Sequence, residues 1–314
     1  MGKERLSRQG FLKVGALFFA GFLSSCRRSV IAQSLTLEPI PTDSRPTGTP
    51  SPSPEPTITP TTTPEATPEA LSEIEAIPFD PKQEIPVLEH HNPSYGVSGS
   101  DHEEAYMSPE VYEKQLKIIK EMNFYTPKEE EILGWLESRH GLPNRSVIIR
   151  IDLGMPNLDF EQGFRLLKQY ELRSILFIRP TSIPETTSRT RLGWDIIKSY
   201  FDDGTLIPGS HGMAHPHYDQ ISAEDAVRDA VDAQEQISRI LDRPVSFFAF
   251  PFDDMAHEDA LLQHFRMLFG VYGRTAKAGN PLVGTYYPYI RGKGYFNWEG
   301  FRQDLLRNIK EEQL

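Results

Sequence analysis

The feature that most limits what this chain can become is an alternation, from Ile85 onward, of short apolar runs with longer amphipathic ones. Ile85–Glu89, Ser146–Asp152, Ser174–Ile178, Leu206–Ile207 and Val245–Phe250 read as strands. Ser108-Pro109-Glu110 opens a helix that sets Tyr112, Leu116 and Ile119 on one face. Further helices are expected near Lys128–Arg139, Phe160–Tyr170 and Leu192–Phe201. Ser222 and Asp225 form a capping pair for a long one, with Ala226, Val227, Ala230, Ala233, Ile237 and Leu241 at helical spacing. Repeated strand–helix units lay their strands parallel, in an open sheet or a barrel. In a barrel, working residues gather at the C-terminal ends of the strands. Asp152, His211 and Phe250-Pro251 fall at such ends.

One loop concentrates chemistry. Pro208-Gly-Ser-His211-Gly-Met-Ala-His215-Pro-His217-Tyr218 places three of the nine histidines within seven residues, behind a Pro-Gly turn signal. That spacing lets two imidazoles turn toward one point, as a metal site requires. A solvated polar loop is the plainer reading, but Gly212, Met213 and Ala214 supply no other reason for the clustering.

The chain before this region reads differently. Lys3, Arg5 and Arg8 precede an apolar stretch, Phe11–Leu23, too short to span a bilayer, which ends at Leu23-Ser-Ser-Cys26. Residues 1–26 are expected to be an export signal of lipoprotein type, with Cys26 lipidated. Ser7–Lys13 also looks like a twin-arginine signal carrying one of the two arginines, which leaves the export route open, and an ordinary cleaved signal is the alternative. Residues 27–78, rich in Pro, Thr, Ser and Glu, cannot build a core and are expected to be a disordered linker, an extended spacer between a membrane anchor and the domain at 79–314. Cys26 is the only cysteine, so no disulfide forms within the chain. The net charge of −11 and the lack of a basic stripe argue against a nucleic-acid partner.

Four segments of the domain resemble the polysaccharide deacetylase (NodB-type) family. Pro86-Val-Leu-Glu-His-His91 is similar to its opening strand, with His90 where Tyr is usual. Val147-Ile-Ile-Arg-Ile-Asp152-Leu153-Gly154 is similar to the strand that ends T-F-D-D-G. Gly209-Ser-His211-Gly-Met-Ala-His215-Pro is similar to G-S-H-T-x-x-H-P, and Arg243-Pro-Val-Ser-Phe-Phe-Ala-Phe-Pro251-Phe252 to the segment R-P-V-x-x-F-A-Y-P-Y-G. The resemblance implies an α/β fold, a distorted (β/α) barrel with fewer than eight strands. It implies a deacetylase-like hydrolase that removes N-acetyl or O-acetyl groups from a cell-surface or extracellular polysaccharide, or from a peptidoglycan-type glycan. A divalent metal (Zn, Co or Ni) would polarise the acyl carbonyl and its attacking water. Residue by residue, Asp152 corresponds to the catalytic base, His211 and His215 to metal ligands, and Phe252 to the backbone N–H that binds the oxyanion. His91, Phe250, Pro251 and Asp253 would line the substrate site. The protein is expected outside the cytoplasm, as a monomer, membrane-anchored or secreted.

Departures from the pattern carry information too. The family's metal-binding Asp is Leu153 here, so the site is expected to be weakened, or re-ligated through Asp152, His91 or His217. Leu153→Asp is then expected to rebuild an Asp-plus-two-His centre at small structural cost. Arg150 is placed to pair with Asp152. The late L-x-H motif has no counterpart, His264 being the last histidine. Arg291 resembles a late family arginine. Phe201-Asp-Asp-Gly204 spells the family's tetrapeptide but reads as a helix end. Trp135, Trp194 and Trp298 are better explained by packing than by sugar stacking. The alternative function is an inactive glycan-binding or scaffold protein on the same fold.

Overall fold

The computed structural model describes residues 73–93, 106–154, 156–270, 275–284, 297–307 and 309. Their elements, in order, are β1 (Glu84–His90), β2 (Asn92–Pro93), β3 (Tyr106–Met107), α1 (Pro109–Glu121), α2 (Glu129–Leu136), β4 (Ile148–Leu153), α3 (Asp159–Gln169), β5 (Ser174–Ile178), α4 (Trp194–Asp202), β6 (Leu206–Ser210), α5 (Ala223–Leu241), β7 (Phe247–Ala249), α6 (Glu258–Leu261), β8 (Met267–Gly270), β9 (Thr275–Lys277), β10 (Leu282–Gly284) and α7 (Trp298–Leu306). Eight strands form one sheet in the order β10-β8-β7-β6-β5-β4-β1-β9. All its pairs are parallel except β1 with β9. The edge strands β9 and β10 lie against each other, so the sheet nearly closes into a barrel. The expectation of fewer than eight strands gives way to eight, because the two short edge strands are too brief to show a period in sequence.

Side-chain alternation sorts the strands into two layers. Val87, Ile148, Ile175, Phe177, Ile207, Phe247, Ala249, Met267 and Phe269 fill the inside, where α2 adds Ile132 and Trp135. Leu88, Ile149, Ile151, Leu153, Leu176 and Ile178 face outward and pack beneath α1, α3, α4 and α7. Trp135 and Trp194 are buried, as packing residues should be.

Local signals explain most of the helices. Ser108 caps α1 by accepting the Val111 N–H, and Ser222 caps α5 by accepting that of Asp225. Ala226, Ala230, Ala233, Ile237 and Leu241 are the buried stripe of α5. Phe201-Asp-Asp-Gly204 closes α4, with Asp203 as C-cap and Gly204 at φ +78°. Strand β6 runs further than its apolar pair, taking in Pro208 and Gly209. Pro208 precedes the point where β7 joins, at Gly209 opposite Phe247. A Cβ at Gly209 would sit 2.4 Å from Phe177 Cδ1, so glycine here reflects the crowded barrel interior as well as the chain's path.

Candidate functional site

Apolar layers inside the barrel give way to charged ones toward the C-terminal ends of the strands. Register sets Glu89 on β1 opposite Arg150 on β4, and the pleat turns both of them, with Asp152, to the inside face. The Arg150 side chain is wholly buried. Its Nη2 lies 2.8 Å from Glu89 Oε2, 2.5 Å from Asp152 Oδ2 and 3.5 Å from Asp253 Oδ1, and the guanidinium carbon lies 5.6 Å from the Phe177 ring centroid. A cation without solvent needs such partners. Asp152 is 4% exposed, and its Oδ1 has no hydrogen-bond partner among the described residues. His91, half-buried just past β1, brings Nδ1 to 3.8 Å from Glu89 Oε1.

The first position past β6 on the same inward alternation is that of His211. Its Nδ1 donates to the Ala249 carbonyl at 2.9 Å, which fixes the tautomer and leaves Nε2 as a lone pair. Burial, reinforced by the charges of Arg150 and others, holds its pKa down to about 3. His215, at φ +60°, meets His211 edge-on with ring centroids 4.8 Å apart. Burial, then His211 and Arg179, lowers its pKa to about 4. Both imidazoles are therefore neutral at neutral pH.

A carboxylate from α5 shapes the loop between them. Asp229 Oδ2 accepts the Met213 N–H at 3.0 Å and the Tyr218 hydroxyl at 2.9 Å, while Oδ1 accepts the Ala214 N–H at 2.8 Å. Gly212 is required twice over: its φ is +74°, and a Cβ there would lie 2.4 Å from Asp229 Oδ2.

Phe252 also holds a left-handed conformation, φ 56° and ψ 10°, and is 53% exposed at the rim. Its ring stacks on His217 at 3.9 Å and meets His215 at 4.6 Å. His217 reaches Asp254 instead of the His211–His215 pair, Nδ1 to Oδ2 at 2.5 Å. One expected lining residue takes another place. The Phe250 ring is fully buried on the outward face of the sheet with Tyr218, Phe248, Leu261 and Phe265, because the pleat that turns Ala249 inward turns its neighbour out. Asp253 turns toward Arg150. Pro251 is buried at the start of the short helical turn that follows β7. His90, at the family's Tyr position, faces the helices, 2.8 Å from Gln115 Oε1 and edge-on to Tyr112. Cys26 and Arg291 lie outside the described residues.

The polysaccharide deacetylase family model matches residues 140–265, from just before β4 to just before β8. That match supports a polysaccharide deacetylase assignment for this stretch of the chain. Among solved structures the chain is similar to the Streptococcus pyogenes deacetylase PplD in complex with acetate, at 16% identity and a TM-score of 0.58, over 73% of this chain and 99% of that one. It is likewise similar to IcaB from Ammonifex degensii, at 17% and 0.57, over 70% of this chain and 97% of that one. A third is BC0361, a polysaccharide deacetylase from Bacillus cereus, at 16% and 0.57, over 73% and 70%. At such identities these likenesses establish the fold. No curated sequence matches the chain.

The deacetylase resemblance implies a metal on one Asp and two His, and the residues present do not build that centre. Leu153, in the Asp position, is fully buried in the outer layer with Ile151 and Ile178, on the opposite face of β4 from Asp152. Among the described residues, no group of three donors within 4.8 Å of one another includes His211 or His215. Such groups exist in two other places, at Glu89, His91 and Asp152 and at His217, Asp219 and Asp254.

Sequence reasoning passed over Glu89, Arg179, Asp229 and Tyr218. Only Asp229 left a trace there. It stands at the helical spacing of Ala226, Ala230 and Ala233, an acid beside an apolar stripe.

Proposed function

We propose that this domain is a hydrolase that removes acetyl groups from an N- or O-acetylated polysaccharide, one of the cell surface or the extracellular matrix. The observation that carries this reading is the convergence of Asp152, with one carboxylate oxygen unengaged, and the two neutral imidazoles of His211 and His215 at the C-terminal mouth of the barrel. Asp152 Oδ1 is the acceptor for the proton of an attacking water, and Arg150 holds the other oxygen and so fixes the carboxylate's orientation. The imidazole nitrogen that faces away from Ala249 accepts a hydrogen bond from substrate or water. The backbone N–H of Phe252, in its left-handed turn, is assigned to the developing oxyanion. His91 and Pro251 border the site. Zn²⁺, Co²⁺ or Ni²⁺ is the expected cation class. We further infer that the domain acts outside the cytoplasm as a monomer, tethered through Cys26 with residues 27–78 as a spacer. Among the described residues, no helix is long and apolar enough to cross a membrane.

Acetate release from acetylated glucosamine oligomers and from acetylated exopolysaccharide tests the reading, with Asp152→Asn as control. Release that Asp152→Asn abolishes is expected; none from any glycan, with any of the three metals, rejects the hydrolase. One observation favours a second reading. With Leu153 built into the packing layer, the chain would be a glycan-binding protein without turnover, and oligosaccharide binding that survives a chelator would then be seen in its place.

A further inference from the structure

The mismatch at Leu153 leaves the cation without its expected seat, and a different set of donors stands one barrel position away. We propose that this chain binds a divalent cation through Glu89, His91 and Asp152, across β1 and β4, and that His211 and His215 face the substrate instead. Each of the three residues offers a ligand atom within 4.8 Å of the other two. Glu89 and Asp152 are 1% and 4% exposed, and Arg150 Nη2 engages one oxygen of each, Oε2 and Oδ2. The other oxygens are turned elsewhere: Glu89 Oε1 lies 3.8 Å from His91 Nδ1, and Asp152 Oδ1 is buried without a hydrogen-bond partner among the described residues. A carboxylate oxygen in that condition asks for a proton or a cation.

Rigidity and charge point the same way. Glu89 and Asp152 sit on strands that are hydrogen-bonded neighbours, with Glu89 opposite Arg150 and His90 opposite Ile151, so the donors cannot drift apart. Three carboxylates, Glu89, Asp152 and Asp253, surround the one guanidinium. The His211–His215 pair, by contrast, feels the charge of Arg179 on both rings and that of Arg150 on His211, which opposes a dication there. Two carboxylates and one imidazole are a three-ligand set of the kind that leaves a coordination position for water or substrate, and half-buried His91 stands on the open side. The rim group of His217, Asp219 and Asp254 is mostly exposed, and His217 and Asp254 already bond each other.

This inference rests on the proposed function in treating the barrel mouth as the working site, but it gives Asp152 Oδ1 to the cation in place of the base role assigned to it there, and its test reads metal affinity instead of turnover. The full-length protein is stripped with a chelator, and Zn²⁺ alone is titrated by calorimetry into wild type, Glu89→Gln, His91→Ala, His211→Ala, His215→Ala and His217→Ala. One site is expected in wild type, weakened about tenfold or more by Glu89→Gln and by His91→Ala. The His211, His215 and His217 variants should stay within about a factor of three of wild type. Strong loss in any of those three, or no saturable binding in wild type, overturns the proposal. Should Glu89→Gln fail to fold by circular dichroism, His91→Ala decides alone, since half-buried His91 supports little of the core. A protein that binds Zn²⁺ in the expected pattern yet releases no acetate sinks the hydrolase reading and leaves this one standing.

Discussion

Arg150 reaches Asp152 from two residues earlier on the same strand, Nη2 to Oδ2 at 2.5 Å, with neither side chain open to solvent. The pair is structural before it is chemical, because the same nitrogen also holds Glu89. Arg150→Met would leave two buried carboxylates without this counter-charge. A loss of about 3–5 kcal/mol in urea denaturation is expected, with a smaller one for Arg150→Lys, which keeps the charge but not the planar fork. A loss under about 1 kcal/mol for Arg150→Met would mean that the carboxylates do not depend on this guanidinium.

Asp229 does for the histidine loop what Arg150 does for the strand ends. It takes hydrogen bonds from two backbone N–H groups and from Tyr218, whose hydroxyl is kept protonated by burial and then by the carboxylate beside it. Asp229→Ala should cost about 2 kcal/mol or more and Tyr218→Phe about 1 kcal/mol. The double mutant should lose less than the sum, as partners in one network do. Amide exchange is the local readout. Protection at Met213 and Ala214 should fall in Asp229→Ala, and unchanged protection there would show that the clamp is idle.

How much of this could be read beforehand differs between the layers of the barrel. Apolar runs such as Ser146–Asp152 and the cap at Ser222 disclosed the strand–helix order, because period and capping are local properties. Facing was harder to read. In Val-Ile-Ile-Arg-Ile-Asp-Leu the alternation puts Arg150 and Asp152 on one face, but with both faces of the strand buried it does not say which face is the barrel interior, so position 153 and Phe250 looked like parts of the site by position alone. The Arg150–Asp152 pair was legible from its two-residue spacing. Its third member, Glu89, comes from a strand about sixty residues earlier, and only the β1–β4 register brings it there. Asp229 was hidden for the same reason, although its place beside an alanine stripe was a usable hint.

Acid should destabilise this fold before its carboxylates titrate. His90 and His211 are buried with pKa values lowered to about 4 and about 3, and His215 is lowered to about 4, burial being the main cause in each. The unfolded chain binds these protons near pH 6.5 and the folded one does not. The stabilising effect is therefore complete above about pH 6.5 and is lost as pH falls toward 4. Each fully buried imidazole should contribute a slope of up to about 1.4 kcal/mol per pH unit in that window, and half-buried His215 less. Urea midpoints between pH 7 and pH 4.5 measure it. His211→Gln should flatten the slope, and a variant as steep as wild type would remove His211 from the explanation.

Leu153 decides whether the family's metal centre can be restored by a single change. The position is where the family carries its metal-binding Asp, so Leu153→Asp looks in sequence like a repair. In the fold, Leu153 is fully buried, pairs in register with Ile178 on β5 and packs in the outward-facing layer beneath the helices. Asp152, its neighbour, points the other way, into the barrel. An aspartate at 153 would thus place a carboxylate in apolar packing, across the strand from His211 and His215. The lost packing alone is worth about 2–5 kcal/mol, and an unpaired buried acid adds to it. Leu153→Asp should therefore fold poorly or not at all, while Leu153→Met, close in volume, should stay within about 1.5 kcal/mol of wild type. Zn²⁺ affinity of whatever Leu153→Asp protein remains folded should not exceed that of wild type. A stable variant with raised affinity would mean that the end of β4 can turn over by one residue, and the two-layer assignment of Asp152 and Leu153 would have to be reversed.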